Sequence, residues 1–560
     1  MPQKPFRLFI FFVLLSIKLS GQSGFIPYSS EYYHLIDRFE VKSGYLSNDF
    51  HDNVKPFERK RVLNYLNSVP LDSMRFTKVD SFNLSYLKND NWEWDSIRPV
   101  LTKKPLLKVF FKEPADFYHY KNDDFDIHVN PILNFGGGSN SSQSEKQGQF
   151  INTRGIRIRG SVNNKLGFYT LFTENQESSP FYVREYSLGL DGYPYNGFTK
   201  IVNGDSVAFV RDYIQAEGYM VFYPSRHIML KMGHSKNFVG SGMRSMILSD
   251  FSSPYFNFQA SVRLGRLEYM NILAKMNNRQ EDFSVADLEV IPPKFMVFHH
   301  LNVNVTKNFN MGLFETVMFG NRKFDMNYLN PVIFYRFVEG LVGSSDNAIV
   351  GADFKLNLLK SVSFYGQLIL DEFNRKENQK EGWYGQKNAG QLGFKYIDAF
   401  TLKQFDIQGE FNYARPYTYS HYTTYSNLVN YNLPIAHPLG ANFREFIVKG
   451  RYQPINRLYL RATYMWNSKG YDDALANWGG DITRNYREDR PLEFGNQIGQ
   501  GFKIETSLTN FEASYMLWHN LFLDSSFQMR RQMALGEKLT KENLFKFGMR
   551  WNAFQNDYLF

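Results

Sequence analysis

Three groups of aromatic and polar side chains lie in stretches too polar and irregular to be strands. Tyr193 and Tyr195, with Phe198, form one. Tyr417, Tyr419, Tyr422 and Tyr425 form a second, and Trp478, Arg484, Tyr486 and Arg487 a third. A flat ring can cover the apolar face of a pyranose, while guanidinium, amide and carboxylate groups bond its hydroxyls. The sequence therefore names Tyr193, Tyr195, Tyr419, Tyr422, Trp478, Arg484, Tyr486 and Arg487 as candidate sugar contacts. The alternative, that these rings only pack loops or mark a membrane interface, stays open.

Other chemistries find less support. His234-Ser235, with Asp250 at the end of the same loop, is the one pairing resembling a hydrolase site, but a Gly-Ser-rich loop uses such residues to cap turns. His299 and His300 are adjacent, so strand alternation sends their rings to opposite faces and argues against joint metal ligation. The acidic pairs Asp123-Asp124 and Asp472-Asp473 lack the spacing of a calcium loop. Gly136-Gly137-Gly138 reads as flexible loop and has no phosphate-binding fingerprint around it. The chain has no cysteine, which excludes disulfides and thiolate metal sites. The expectation is no enzyme activity, no cofactor and no metal.

The elements that must carry these loops are strands. In Asn442–Gly470, Phe446, Val448, Gly450 and Tyr452 share one parity, while Lys449 and Arg451 share the other. After Pro454-Ile455-Asn456, Leu458, Leu460, Ala462, Tyr464 and Trp466 alternate with Arg457, Tyr459, Arg461 and Thr463. Period two with one apolar and one cationic face suits a strand between lipid and a polar lumen. The unit recurs about eighteen times from Phe125 onward. Short turns, such as 163–165, 224–226, 306–308, 359–360 and 519–520, alternate with long connections, such as 137–149, 178–211, 235–254, 419–441 and 468–500. That alternation predicts an all-β transmembrane barrel of about 18 antiparallel up-and-down strands, with periplasmic turns and surface loops. Aromatics make up 17% of the 560 residues, including 53 Phe and 36 Tyr, yet mean hydropathy is −0.41. Many rings without long apolar runs is a barrel composition. Parity points Arg157, Arg159, Asp353, Lys355, Gln367, Asp371, Lys449, Arg451, Arg461, Lys546 and Arg550 into the lumen. They read either as a salt-bridged network or as a polar path for solute.

Lys4 and Arg7, the apolar run Leu8–Ile17 and small residues Ser20 and Gly21 predict a signal peptide over 1–21. Residues 22–105 carry helical spacing after Ser29-Ser30, after Lys55-Pro56 and between Asp72 and Trp94, and predict a small periplasmic helical module with a linker. Residues 106–560 form the barrel. Phe545, Phe547, Met549 and Trp551 alternate outward, and the chain ends on an aromatic, Phe560, resembling the signal read by the barrel assembly machinery; the parity slips around Gln555-Asn556-Asp557, so the reading leaves room for the final residues to turn away from the strand. The net charge of +9 is spread along the chain, which speaks against nucleic acid and for anionic glycan or lipopolysaccharide.

Two stretches carry a specific resemblance. One is Lys231–Tyr255, where a strand runs into Gly240-Ser241-Gly242 and then Ile247-Leu248-Ser249. The other joins Gly312-Leu313-Phe314-Glu315 to Tyr328-Leu-Asn-Pro-Val-Ile-Phe-Tyr-Arg-Phe337 and Asp346–Asp353. Their order and spacing resemble the capsule-assembly Wzi family of outer-membrane proteins, over about 212–375. The resemblance implies an eighteen-stranded barrel with a periplasmic helical bundle in the outer membrane of a Gram-negative bacterium, binding surface polysaccharide and assisting capsule assembly without catalysis. The expected partners are outer-membrane lipid, lipopolysaccharide and surface polysaccharide, with the assembly machinery during insertion. Two alternatives remain: a gliding-motility or surface-adhesion protein that docks a periplasmic or motility partner, and a porin-like channel for polar or anionic solutes. Lys236-Asn237-Phe238 stands where the family commonly has tryptophans, and the 178–211 and 468–500 loops are long, so the glycan itself is not implied.

Overall fold

The computed structural model describes residues 24–70, 74–95, 109–163, 165–197, 199–202, 210–278, 283–285, 288–343, 346–372, 380–534, 536, 539–554 and 558–560. The expected signal peptide and the boundary at 105–106 lie outside them.

Eighteen antiparallel strands close a barrel, from Phe125–Ser142 to Thr540–Trp551, which pair with each other at the seam. Alternation decides the two faces. Phe172, Ile214, Leu313, Leu392, Phe511 and Phe547 stand exposed on the outer wall, the apolar surface of a bilayer-spanning barrel. The expected 137–149 loop is largely strand: the first two strands run to Ser142 and from Lys146. The glycines read as flexible loop lie in the closing seam, where a Cβ on Gly138 would fall 1.9 Å from the Phe545 carbonyl oxygen. Close strand approach requires glycine at 138 and crowds position 136, where a Cβ would stand 3.0 Å from the Phe547 carbonyl oxygen.

Helices α1 (Ser30–Ser43), α2 (Arg59–Ser68) and α3 (Lys78–Asp90) plug the end that carries the short turns. Thr77 caps α3 by accepting from the Asp80 amide, and Asp80 accepts in return from the Thr77 amide, a capping box. Pro56 does not open α2, which begins three residues later. Instead Val54-Lys55 pairs with Phe238-Val239 of the 236–254 loop. The helical part therefore enters the bore. Leu46 donates to the Lys307 carbonyl at 2.7 Å, Gln404 to Thr77 at 2.6 Å, and Tyr86 to Asn520 at 2.5 Å, tying the plug to three of the connections at that end.

The plug is held by ions. Lys355 on the wall meets Asp37, Glu40 (2.5 Å) and Asp52 (3.2 Å), and Lys395 reaches Asp37 at 2.5 Å. Arg451 and Lys449 hold Glu31 at 2.9 and 3.3 Å. Arg38 joins Asp80, Asp398 and Asp406. These carboxylates give the plug a pH dependence. Burial alone would raise Asp37, but the ammoniums of Lys355 and Lys395 outweigh it and hold the group well below the usual range. Its contribution is present above the ordinary aspartate pKa and is lost as pH falls below about 4. His51 acts earlier, because burial pushes its imidazole down to about 4. The unfolded state then takes up the proton first, so stability is full above about 6.5 and falls toward 4. The loss by pH 5 is about 2 kcal/mol, a roughly thirty-fold rise in plug opening. Amide exchange in α1 at pH 7, 5 and 3 should accelerate in two stages; a flat profile would contradict the assignment.

From the other end, the 236–254 loop descends into the bore. Its backbone amides at Met243 and Arg244 donate to Glu410 at 2.7 and 3.1 Å. A Cβ on Gly242 would sit 2.5 Å from that carboxylate, which explains the glycine of the first family-like stretch. The last strand stops at Trp551, and the tail does not continue along the wall. Phe560 packs on Tyr186 (4.6 Å) inside the lumen, and Tyr558 donates to Glu177 at 2.9 Å. The terminal aromatic is therefore a lumen residue, not the end of an outward-facing strand.

The second family-like stretch has a different job. Residues 321–343 fold back down the outside of the barrel and bury Val297, Val317, Phe319 and Ala348 beneath Tyr328, Tyr335 and Val338. After α4 (Phe181–Leu190) in the 178–197 stretch, helix α5 (Tyr335–Leu341) starts over Glu315, which accepts from the Tyr335 and Arg336 amides at 2.7 and 2.6 Å and pairs with His299 at 3.0 Å. An outward carboxylate and imidazole halfway along their strands are thus covered by protein. Phe334, Phe337 and Leu341 stand exposed on this segment.

Candidate functional site

At the long-loop end, residues 415–442 and 471–501 fold against each other. Tyr417 donates through its amide to the Gly479 carbonyl (3.0 Å) and through its hydroxyl to the Asn477 carbonyl (2.8 Å). Asp472 accepts from the amides of Trp478 (2.7 Å), Gly480 and Asp481 (both 3.0 Å). That aspartate, considered above for calcium, caps a turn.

Between the two loops lies an open groove of about 660 Å³, lined by Tyr422, Thr424, Tyr425, Arg484, Asn485 and Glu488 among others. Its polar groups are already oriented. Arg484 donates to the Asp473 carbonyl at 2.9 Å, and Asn485 donates to Glu488 at 2.7 Å. Arg487, exposed, stacks its guanidinium 4.1 Å from the Tyr422 ring centre. Beneath the groove Tyr486 is buried, with the Lys387 ammonium 3.7 Å above its ring. Burial, with Lys387 and Arg487 nearby, pushes His421 down to about 3, so its ring packs neutral on Tyr422 at 4.2 Å. Rings, a fixed cation, an amide and a carboxylate around an open trough can take a carbohydrate through stacking and hydroxyl bonds.

The structure divides the sequence candidates. Tyr422, Arg484 and Arg487 come together at the groove, and Tyr486 lies beneath it. Trp478 sits beside it, its indole donating to Asp473 at 3.2 Å. Tyr193 and Tyr419 do not join them. They are 1% and 0% exposed, Tyr193 donating to Glu177 and Tyr419 to the Met246 carbonyl at 2.7 Å. Tyr195 packs on Phe251 in the lumen cluster. Loop aromatics look alike in sequence, but these three fold into the bore and cover it. Phe198 lies outside the described residues. Tyr425, named with the second group of rings, also lines the groove, whereas Thr424, Asn485 and Glu488 were missed as contacts; their closeness in sequence to Tyr422 and Arg484 was the available signal.

The lumen candidates face inward. Gln367 accepts from the Met246 amide at 2.7 Å and donates to the Val239 carbonyl at 3.0 Å, holding the descending loop. Asp353 pairs with His300 at 2.8 Å, and Asp371 accepts from the Tyr419 amide at 2.5 Å. Arg159 pairs with Asp116 and Glu93, Arg461 with Glu512, and Arg550 with Asp524. Arg157 stacks on Phe554, and Lys546 sits 6.0 Å over Tyr558. Among the described residues the bore retains cavities of about 250 and 130 Å³ against the first and last strands. His234 lies on the outer face against Phe256, whereas Ser235 is buried inward and accepts from Asn257 at 3.2 Å. They form no nucleophile–base pair.

No family model matches this sequence, and no curated protein matches it. Among solved structures the chain is similar to Wzi of Escherichia coli, described as an outer membrane protein involved in group 1 capsule assembly and a carbohydrate-binding β-barrel. The identity is 13%, covering 94% of this chain and 99% of that one, with a TM-score of 0.55. OprD of Pseudomonas aeruginosa matches at 10% identity over 75% of this chain and 94% of that one, with a TM-score of 0.40. At these identities the first likeness establishes a shared fold.

Proposed function

We propose that this chain is a non-enzymatic outer-membrane barrel that binds surface polysaccharide at its long-loop end and thereby assists capsule assembly. The observation that carries the reading is the open groove between residues 415–442 and 471–501, where Tyr422 and Tyr425 stand opposite Arg484, Asn485 and Glu488. The carbohydrate binding named for the Escherichia coli barrel supports the same reading. The plugged bore weighs against a channel for solutes.

Polysaccharide extracted from the surface of the same bacterium is the probe. Tyr422→Ala and Arg484→Ala should each weaken binding about tenfold, the effect of losing one ring face or one charge-assisted bond. Heat-modifiable electrophoretic mobility should remain that of a folded barrel. Tyr193→Phe, in the buried cluster, should leave affinity unchanged. Unaltered binding in both groove variants would overturn the site. A deletion strain that keeps its capsule but loses surface spreading would favour the motility role instead.

A further inference from the structure

The strand Phe125–Ser142 begins below the point where its neighbour Thr540–Trp551 stops. A short strand, Tyr118–Lys121, occupies that free edge and places His119 directly opposite His128 and Lys121 opposite Asp126. Asp126 and His128 are two apart on the strand and so share its inner face. Three side chains converge there. His119 Nε2 lies 2.9 Å, and His128 Nε2 3.1 Å, from the same oxygen, Asp126 Oδ1. The three atoms lie within 4.8 Å of one another.

We propose that His119, Asp126 and His128 bind a divalent transition-metal ion, zinc or a close chemical neighbour, at the plugged end of the barrel. Two imidazoles and a carboxylate are a donor set of this class of ion. In a tetrahedral site with bonds of about 2.05 Å, ligand atoms stand roughly 3.3 Å apart. The two nitrogens, at 2.9 and 3.1 Å, stand within a few tenths of an ångström of that separation from Asp126 Oδ1.

The surroundings are arranged as an outer shell. Asp116 accepts from His128 Nδ1 at 2.8 Å, which presents the Nε2 lone pair toward Asp126. A carboxylate behind a ligating imidazole is the usual orienting device. Asp116 is itself fixed by Trp92, Asn130 and Arg159 at 2.7, 2.7 and 3.0 Å. Lys121 takes the other Asp126 oxygen, Oδ2, at 3.1 Å, leaving Oδ1 to the site. The Trp92 ring stands edge-on to His119 at 4.8 Å. Trp92 follows α3, so a bound ion would clasp the edge strand to the wall beside the plug. His119 and Asp126 remain partly exposed, which leaves room for a water as fourth ligand.

The absence of cysteine makes the test clean. The full chain, purified in detergent without a histidine tag and stripped with a chelator, is titrated with cobalt(II). Visible ligand-field absorption should saturate at one equivalent and be displaced by zinc. His119→Gln and Asp126→Asn should each weaken cobalt binding about 100-fold or more, with heat-modifiable mobility confirming that the barrel is folded. His227→Ala, a histidine at a turn elsewhere, should leave the signal intact. A wild-type protein without saturable cobalt or zinc binding would overturn the proposal and leave the cluster a salt bridge. Binding that survives both ligand variants would overturn it equally.

Discussion

Replacing Lys355 by alanine should release the helical plug. Lys355 is buried and faces Asp37, Glu40 and Asp52 together. Removing it leaves three carboxylates sharing the desolvated space with Lys55 and Lys395. Breaking a buried ion network from one side costs about 3–5 kcal/mol. Because α1 meets the wall largely through such pairs, the cost falls on plug docking, while the strand ladder is untouched. Amide exchange in α1 should accelerate about 100-fold at neutral pH, and conductance in planar bilayers should rise above the wild-type level. Adding Asp37→Asn removes one of the stranded charges and should recover part of the protection. Unchanged exchange in α1 would mean that the apolar cluster of Ile36, Phe39, Phe57 and Leu66 holds the plug without help from its ions.

Replacing Glu315 by alanine should detach α5 from the outer wall. Glu315 accepts both the Tyr335 and Arg336 amides and is the ion partner of His299. Without it, two N–H groups lose their acceptor on the lipid-facing side, where an unsatisfied polar group costs several kcal/mol. The chain has no native cysteine, so Phe337→Cys supplies a single reporter. On the docked helix it should react slowly with a water-soluble maleimide in lipid vesicles. In the Glu315→Ala background labelling should quicken at least tenfold, as a loosened 321–343 segment leaves the bilayer. Equal rates in the two backgrounds would show that Glu315 does not hold the helix down.

Both residues were visible in the sequence, one as a parity position and one as part of a family-like stretch, but neither role was. Lys355 could be placed on the inner face because a strand repeats every two residues; its partners lie more than 300 positions away, two on α1 and one in a turn beyond it. Glu315 was recognised within Gly312-Leu313-Phe314-Glu315 without a function. Its spacing to Tyr335 has meaning only once the intervening loop folds outward and down.

The metal cluster marks a similar limit. Asp126 and His128 are two apart in a recognisable strand, but no strand pattern in the sequence set His119 opposite them. Only the pairing of Tyr118–Lys121 with the first strand does so.

The sequence by itself determined the barrel, its strand number and the inward or outward parity of its wall, because lipid on one side and a polar bore on the other impress a period of two on every strand. It also located the helical segment and long loops such as 235–254 and 468–500, though not the one expected at 137–149. The tertiary structure alone decided what fills the bore and which loop aromatics remain open to a ligand. Those outcomes depend on contacts between distant segments of similar composition: Tyr193 and Tyr422 differ not in type but in whether their loops turn into the barrel or lie across its mouth.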